Sequence, residues 1–231
     1  MNTPPVDDGQ VNNRAGTSAN AHQQSSRKIE AVCKKTGTNF PETVSYDVYG
    51  TLLSNKPIFT LSEPWIWWCH DYEDKFNCNW LHGLKRLGRI DTSNHFWHLF
   101  QQLGPPSDLP SGFGYYVFKR NATVVKEEPE NRHGGKVVIS MKRDCPISPV
   151  RVNKCWVELT VSLLSGQFGS FGNVVNGVFV CSCLKAYSIG FWVHSRSSEA
   201  EKRFLCDVLN IVAAPKDPAR YEPHDSNFTY L

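Results

Sequence analysis

Residues 84–103 read LKRLGRIDTSNHFWHLFQQL and contain a direct transition from a strand pattern to a helix pattern. Leu84 to Ile90 are apolar and partly alternating, which is typical of a strand. Asp91-Thr92-Ser93 then offers side-chain oxygens for a helix N-cap. The apolar side chains that follow recur at helical spacing; they are Phe96, Trp97, Phe100 and Leu103. This stretch predicts a fold in which helices pack on a sheet.

Further strand and helix patterns continue on both sides of this stretch. Strand patterns cover residues 65–68, 115–119, 136–141, 177–184 and 187–194. One further helical stripe consists of Val152, Trp156, Leu159 and Leu163. Another follows a capping box formed by Ser198 and Glu201, and consists of Phe204, Val208 and Ile211. Because each helix has one apolar stripe, we expect an α+β fold with three helices on the convex face of a curved antiparallel sheet.

Composition divides the chain into three parts. Residues 1–43 are rich in Asn, Ser, Gln, Thr and Pro, so they cannot bury enough apolar surface to offset their ordering entropy. We therefore predict a disordered N-terminal tail over 1–43 and one folded domain over 44–214. Residues 215–231 contain Pro215, Pro218 and Pro223, and we predict a loosely ordered C-terminal tail there.

Charge and hydropathy exclude several classes of protein. The chain has 231 residues and a formal net charge of +3, which is too balanced for a non-specific nucleic-acid binder. No stretch of about 18 apolar residues and no secretory signal is present, which predicts a cytoplasmic protein without a membrane span. In that compartment the eight cysteines are expected to be reduced thiols.

Metal binding and catalysis find little support in the sequence. Cys181 and Cys183 form one pair on a strand, but no second pair follows at zinc-finger spacing, so we expect no metal. The glycines Gly166, Gly169 and Gly172 are not followed by a helix, which argues against a nucleotide-binding fingerprint. No nucleophile elbow or P-loop is present. We expect a binding protein without a cofactor, and no enzyme.

The seven tryptophans and the motifs between them carry a resemblance. In chain order these are Trp65-x-x-Trp68, Trp80, Asp91-Thr92 before Phe96-Trp97, Phe118-Lys119, Glu127-Glu128, Gly134-Gly135-Lys136, Trp156-Val157-Glu158, and Gly177-Val178 before Trp192. The order and spacing resemble those of the translation initiation factor 4E family over roughly residues 57–214. The resemblance implies a cupped-hand fold that binds the 7-methylguanosine cap of mRNA.

The resemblance assigns cap-binding roles to particular residues. Trp80 matches the family's first stacking tryptophan, Glu127 the carboxylate that reads the guanine edge, and Trp192 the tryptophan near the methyl group. Lys185 and Lys136 match basic positions around the triphosphate. These residue types fit the ligand, because a methylated base is cationic and stacks well on indole, and a carboxylate accepts paired N–H donors.

Three positions depart from the family pattern. Lys126 stands where the second stacking tryptophan is expected, and Cys183 and Ser188 stand at two basic phosphate positions. Lys126 could instead contact the phosphates, and Tyr72 or Phe76 could supply the missing ring. The alternative function is therefore a divergent paralogue with a weakened cap pocket that acts as a protein-interaction module or translational repressor.

The resemblance also implies a protein partner on the helical face. The family binds a peptide with the motif Tyr-x-x-x-x-Leu-hydrophobic, carried by a scaffold initiation factor of the 4G type or by a regulator. Trp97 matches its key tryptophan, and the rest of the surface matches Val157, Glu158, Val161 and Leu164. We expect Trp97 to point outward, since Phe96, Phe100 and Leu103 already supply a buried stripe.

Overall fold

The computed structural model describes residues 59–71 and 80–224, apart from the side chains of Trp80 and His82. Its strands are β1 (Thr60–Asp71), β2 (Leu84–Thr92), β3 (Phe113–Lys119), β4 (Gly135–Lys142), β5 (Val175–Ser182), β6 (Ala186–Val193) and β7 (Arg220–Pro223). Its α-helices are α1 (Trp80–Gly83), α2 (Ser93–Leu103), α3 (Ser148–Leu164) and α4 (Glu199–Ala213). Short 3-10 helices cover Pro106–Asp108 and Gly169–Val174. The predicted N-terminal tail, 1–43, lies outside the described residues.

The strands form one sheet in the order β2-β1-β3-β5-β6-β4-β7, and every neighbouring pair is antiparallel. The three long helices lie against this curved sheet. The predicted α+β fold class is therefore confirmed. Within the described ranges, no helix is long and apolar enough to cross a membrane.

Alternation along the central strands sends side chains to two different faces. On β3, Tyr115 and Val117 belong to the large core cluster under the helices, whereas Tyr116 and Phe118 belong to a smaller cluster on the opposite face. This is the two-residue period of a strand whose faces are both covered. The central strands therefore contribute to the core and to the opposite face at the same time.

Trp67 of β1 stands at the centre of the large cluster. Its ring stacks on Phe96 of α2 at 5.5 Å between centroids, and it meets Trp156 of α3 at 5.7 Å and Tyr115 at 5.7 Å. Trp67 and Trp156 are fully buried. Because α2 and α3 both contact this one ring, the two helices cover the same region of the sheet.

Helix starts follow the capping residues that the sequence predicted. The Thr92 side chain accepts a hydrogen bond from the backbone N–H of His95 at 3.3 Å and caps α2. Ser198 and Glu201 form a full capping box at α4, with the Ser198 N–H donating to Glu201 Oε2 at 2.6 Å. Each such cap satisfies backbone donors that the first helical turn would otherwise leave open.

The buried stripes differ from the predicted ones by one residue in places. On α4 the buried residues are Leu205, Leu209 and Ala213, whereas Ile211 is 80% exposed. On α2, Leu99 is fully buried and Phe100 only partly. In both helices, some apolar residues are adjacent in sequence. Spacing alone therefore cannot decide which of two adjacent apolar residues faces the core.

The prediction of loose order from residue 215 onward is wrong for Arg220–Pro223. This segment forms β7, which pairs with β4 from Val138↔Arg220 to Gly135↔Pro223. The turn before it is held by the Ala219 N–H, which donates to Asn210 Oδ1 of α4 at 2.8 Å. The strand forms because β4 offers an open edge there, and Pro223 is tolerated since it ends an edge strand.

Candidate functional site

A cavity of about 790 Å³ opens on the sheet face opposite the helices. Its wall comes from β3, β4, β5, β6, β7 and three connecting segments. The lining residues are Ser111, Gly112, Tyr116, Lys126, Glu127, Lys136, Val138, Ser140, Phe179, Cys181, Ser182, Cys183, Leu184, Ala186, Ser188, Trp192, Arg220 and Glu222. Its size is that of a small-molecule site, and its mixed lining suits a ligand with one flat apolar part and one charged part.

Aromatic rings form part of the cavity wall. Trp192 is 5% exposed, and its ring meets Phe118 edge-on at 5.3 Å and the ring of His224 at 4.3 Å. Tyr116 stacks on Phe179 at 6.2 Å. These contacts hold the rings in fixed orientations, so the wall is already formed without a ligand.

The loop between β3 and β4 carries Lys126 and Glu127 to the rim. Its backbone is held from inside by Asn131, which is fully buried. The Asn131 side-chain amide donates to the carbonyls of Thr123 at 2.6 Å and Val125 at 2.8 Å. Val125 directly precedes Lys126, and Thr123 lies three residues before it, so Asn131 fixes the backbone from which the two rim residues leave the loop.

Asn176 of β5 fastens this loop to the sheet. Its amide donates to the carbonyl of Glu130 at 2.7 Å and to Asn131 Oδ1 at 3.0 Å, and the side chain is 5% exposed. Buried side-chain amides stabilise the folded state only when their hydrogen bonds are made. The rim is therefore positioned by a polar clamp, which we define as Asn131 and Asn176.

Charged groups line the side of the cavity next to β7. Lys136 Nζ lies 2.9 Å from Glu222 Oε2, and Arg220 lies 2.6 Å from Glu222 Oε1. Burial acts to raise the pKa of Glu222, but the hydrogen bonds and charges of Lys136 and Arg220 outweigh it and lower that pKa below the ordinary value. Glu222 is therefore an anion at neutral pH.

Cys183 and Ser188 both line the cavity, and Ser188 is the partner of Ser140 on β4. Burial raises the pKa of the Cys183 thiol, against the opposing charges of Lys136 and Arg143. Cys183 is therefore a neutral thiol at pH 7. Arg143 donates to Ser182 Oγ at 2.7 Å and to the Cys183 carbonyl at 3.2 Å. Neither departure from the family pattern places a cation in the cavity.

Four of the six predicted cap-binding residues meet in this cavity: Lys126, Glu127, Lys136 and Trp192. Lys185 does not line it and lies in the turn before β6, where its carbonyl accepts from the Arg143 N–H. The backbone of Trp80 begins α1, and its side chain lies outside the described part.

Sequence reasoning missed Arg220, Glu222 and the polar clamp. The clamp residues gave no signal, since each is a single Asn in a polar or strand context. The alternation of Arg220-Tyr221-Glu222 was the one available sign of a strand. In the part of the chain that the structure describes, no group of three or more His, Cys, Asp or Glu residues is arranged to hold a metal ion.

The predicted partner surface lies on the outside of α2 and α3. Trp97 is partly buried and meets Phe96 at 4.9 Å and Phe100 at 6.0 Å. Val157 and Val161 are also partly buried against the core. Trp97 follows Phe96 on α2, and Val157 follows Trp156 on α3. Phe96 and Trp156 both contact the ring of Trp67.

The remaining two residues of that surface differ from each other. Glu158 is partly exposed and pairs with Lys154 at 3.6 Å along α3. Leu164 is only 7% exposed and belongs to the core cluster, since it lies at the C-terminal end of the buried stripe of α3. Of the five predicted residues, Trp97, Val157, Glu158 and Val161 are therefore partly accessible, whereas Leu164 belongs to the core.

Comparison with known proteins gives one consistent family. The sequence model described as eukaryotic initiation factor 4E matches residues 60–230. Eukaryotic translation initiation factor 4E-1 of Caenorhabditis elegans is 31% identical over 180 residues, which are 74% of this chain and 82% of the relative. Eukaryotic translation initiation factor 4E of Candida albicans is 23% identical over 185 residues, 78% of this chain and 88% of the relative.

Solved structures show the same fold. C. elegans eIF4E-3, solved in complex with the 4E-binding protein Mextli, superposes with a TM-score of 0.67 at 23% identity, over 76% of this chain and 99% of that chain. Ascaris suum eIF4E-3, solved with the m7G cap, gives 0.66 at 22% identity, over 74% and 94%.

Proposed function

The chain belongs to the eukaryotic initiation factor 4E family, and from that premise we propose that it binds the 7-methylguanosine cap of mRNA in the cavity opposite the helices. In this role it acts as a translation initiation factor in the cytoplasm, without catalysing a reaction. A relative of the same fold was solved with the m7G cap. The similarity to initiation factors does not favour the alternative function, that of a divergent paralogue with a weakened cap pocket.

The observation that carries this proposal is the meeting of Glu127, Trp192 and Lys136 around one cavity. They come from a loop and two strands that are distant in the chain. A carboxylate, an indole and an ammonium group are the groups that a cationic flat base with a phosphate chain needs.

Within this proposal each side chain has one task. Glu127 is exposed at the rim, where its carboxylate can accept two N–H donors from the guanine edge. Trp192 presents an indole to the methylated base, and Trp80 supplies a stacking ring. Lys136 attracts the phosphates, and Lys126 acts on them from the opposite rim, since its charge disfavours a position over a cationic base.

A titration tests the proposal directly. Purified protein is titrated with 7-methylguanosine triphosphate and with unmethylated GTP, and tryptophan fluorescence reports binding. We expect the methylated ligand to bind more tightly, and Glu127→Ala to weaken its binding by about 1–3 kcal/mol, or roughly five- to 150-fold. Equal affinity for the two nucleotides would refute cap recognition.

The helical face supports a second part of the proposal. We propose that Trp97, Val157, Glu158 and Val161 bind a peptide with the motif Tyr-x-x-x-x-Leu-hydrophobic from a scaffold factor of the 4G type or a regulator. Trp97 on α2 and Val157 and Val161 on α3 are partly buried apolar side chains packed against one core cluster, and an amphipathic helix binds apolar surface of this kind. A related fold was solved with the 4E-binding protein Mextli.

A further inference from the structure

Five charged side chains line the cavity, and they are divided between its two sides. Lys126 and Glu127 lie on the loop side, while Lys136, Arg220 and Glu222 lie on the side of β4 and β7. Glu222 is placed between the two cations of its side, at 2.9 Å from Lys136 and 2.6 Å from Arg220. The positive charges next to β7 are thus already partly neutralised by the protein itself.

Strand register places Glu222 opposite Lys136. Lys136 of β4 is the direct partner of Trp192 on β6 and of Glu222 on β7. Directly opposed residues point to the same face of a sheet, so the three side chains form one row along the cavity wall. The Lys136 side chain is 15% exposed and that of Glu222 26%. This is an enclosed pair in a fixed register, and water screens it less than an exposed surface pair.

We propose that Glu222 is a specificity-determining residue, an internal anion that competes with the ligand's phosphates for Lys136 and Arg220. This inference rests on the proposed cap-binding function and adds a determinant to it. A bound phosphate chain has to share or displace the Glu222 carboxylate, so the pocket discriminates against dense negative charge. It therefore depends more on the base than on the number of phosphates.

The test replaces the charge and keeps the shape. Glu222→Gln retains the side-chain length but removes the anion. We expect about three- to tenfold tighter binding of 7-methylguanosine triphosphate and of inorganic tripolyphosphate, with a stronger salt dependence. The affinity for the nucleoside 7-methylguanosine, which has no phosphate, should not change.

Two further variants isolate the mechanism. Glu63→Gln is the matched control, because Glu63 pairs with Lys119 at 3.2 Å, the lysine is similarly enclosed at 13% exposure, and neither lines the cavity. It should leave every affinity unchanged. In a double-mutant cycle, Lys136→Gln should remove most of the gain that Glu222→Gln produces. Glu222→Asp, which keeps the charge but shortens its reach, gives a smaller gain and replaces Glu222→Gln if that variant fails to fold.

The outcomes separate this inference from the proposed function. In one outcome, the wild-type protein shows no preference for the methylated base while Glu222→Gln still binds tripolyphosphate more tightly. That result would refute cap recognition and support Glu222 as a competing anion. If the wild-type protein prefers the methylated base but Glu222→Gln binds neither phosphate ligand more tightly, the inference is overturned. An equal gain for the nucleoside also overturns it, because the effect would then not act through phosphate.

Discussion

On β3, Tyr115 and Val117 face the helices, whereas Tyr116 and Phe118, one position away, lie on the opposite face, where Tyr116 lines the cavity. The helix-covered face is held by large apolar groups around Trp67. The cavity face combines a small aromatic cluster with the polar clamp and an enclosed ion pair. Apolar burial therefore dominates stability on the helix-covered face, whereas on the cavity face the clamp and the charges also position the groups that can contact a ligand.

Trp67→Ala should have the largest effect and tests the first half of this comparison. We expect it to lower the free energy of unfolding by about 3–5 kcal/mol, since it removes the ring that joins α2, α3 and the sheet. The measurement is urea or thermal unfolding. Trp192→Ala, the same change on the cavity face, should cost less because its site borders an open cavity. Equal losses would contradict the division between the faces.

Asn131→Ala should affect folding and binding together. It leaves two loop carbonyls and the Asn176 amide short of a partner, for which we expect a loss of about 2–3 kcal/mol in unfolding free energy. Cap affinity of the folded protein should also fall, because Glu127 is no longer held. Asn153→Ala is the matched control. The Asn153 side chain makes two hydrogen bonds with Ser107, of 2.9 and 2.8 Å, and neither residue lines the cavity. This variant should lose stability but keep its cap affinity. Unchanged cap affinity in Asn131→Ala would show that Asn131 does not position the rim residues for cap binding.

Trp97→Ala tests whether the outer surface of the helices binds rather than folds. We expect a loss of about 2 kcal/mol or more in affinity for a Tyr-x-x-x-x-Leu peptide, and a fall of only a few degrees in melting temperature. Calorimetric titration with the peptide gives the first quantity and thermal unfolding the second. Ile211→Ala, an 80% exposed apolar residue on α4, should change neither. Global unfolding of Trp97→Ala would assign this residue to the core.

The smallest effect concerns the pH dependence of stability. The pKa of Glu222 lies below its ordinary value, so the folded state prefers the ionised form. Its contribution is present above the unfolded-state pKa and is lost as pH falls through the folded-state pKa. Urea unfolding of wild type and Glu222→Gln should thus differ most at neutral pH and converge as the pH falls through the folded-state pKa of Glu222. A difference that grows with acidity would contradict the pairing.

Local signals in the sequence predicted the elements well. Thr92 and the Ser198–Glu201 pair identified two helix starts, because a cap depends on residues three positions apart. The stripe of α4 was misplaced because Phe204 and Leu205 are both apolar neighbours. Strand β7 was missed since its residues are mostly polar, and its pairing with β4 is decided by an open edge far away in the chain.

The sequence predicted candidate site residues only where a motif fixes their position in the chain. Glu127 and Lys136 could be found by their spacing from Gly134-Gly135, and Trp192 by its place in the motif order. The position of Glu222 follows from its register with Lys136, which is a non-local pairing. The Asn131–Asn176 contact likewise joins a loop to a strand. Spacing within one segment holds no information about such contacts.

The position of β7 has a consequence for synthesis on the ribosome. β4 emerges early, but its outer edge stays open until Arg220–Pro223 has left the exit tunnel. A nascent or truncated chain that ends before this strand exposes unpaired N–H and C=O groups, which favour pairing with another chain. In the described part of the chain, Arg220–Pro223 therefore covers the outer edge of β4 and adds Arg220 and Glu222 to the cavity wall in the same step.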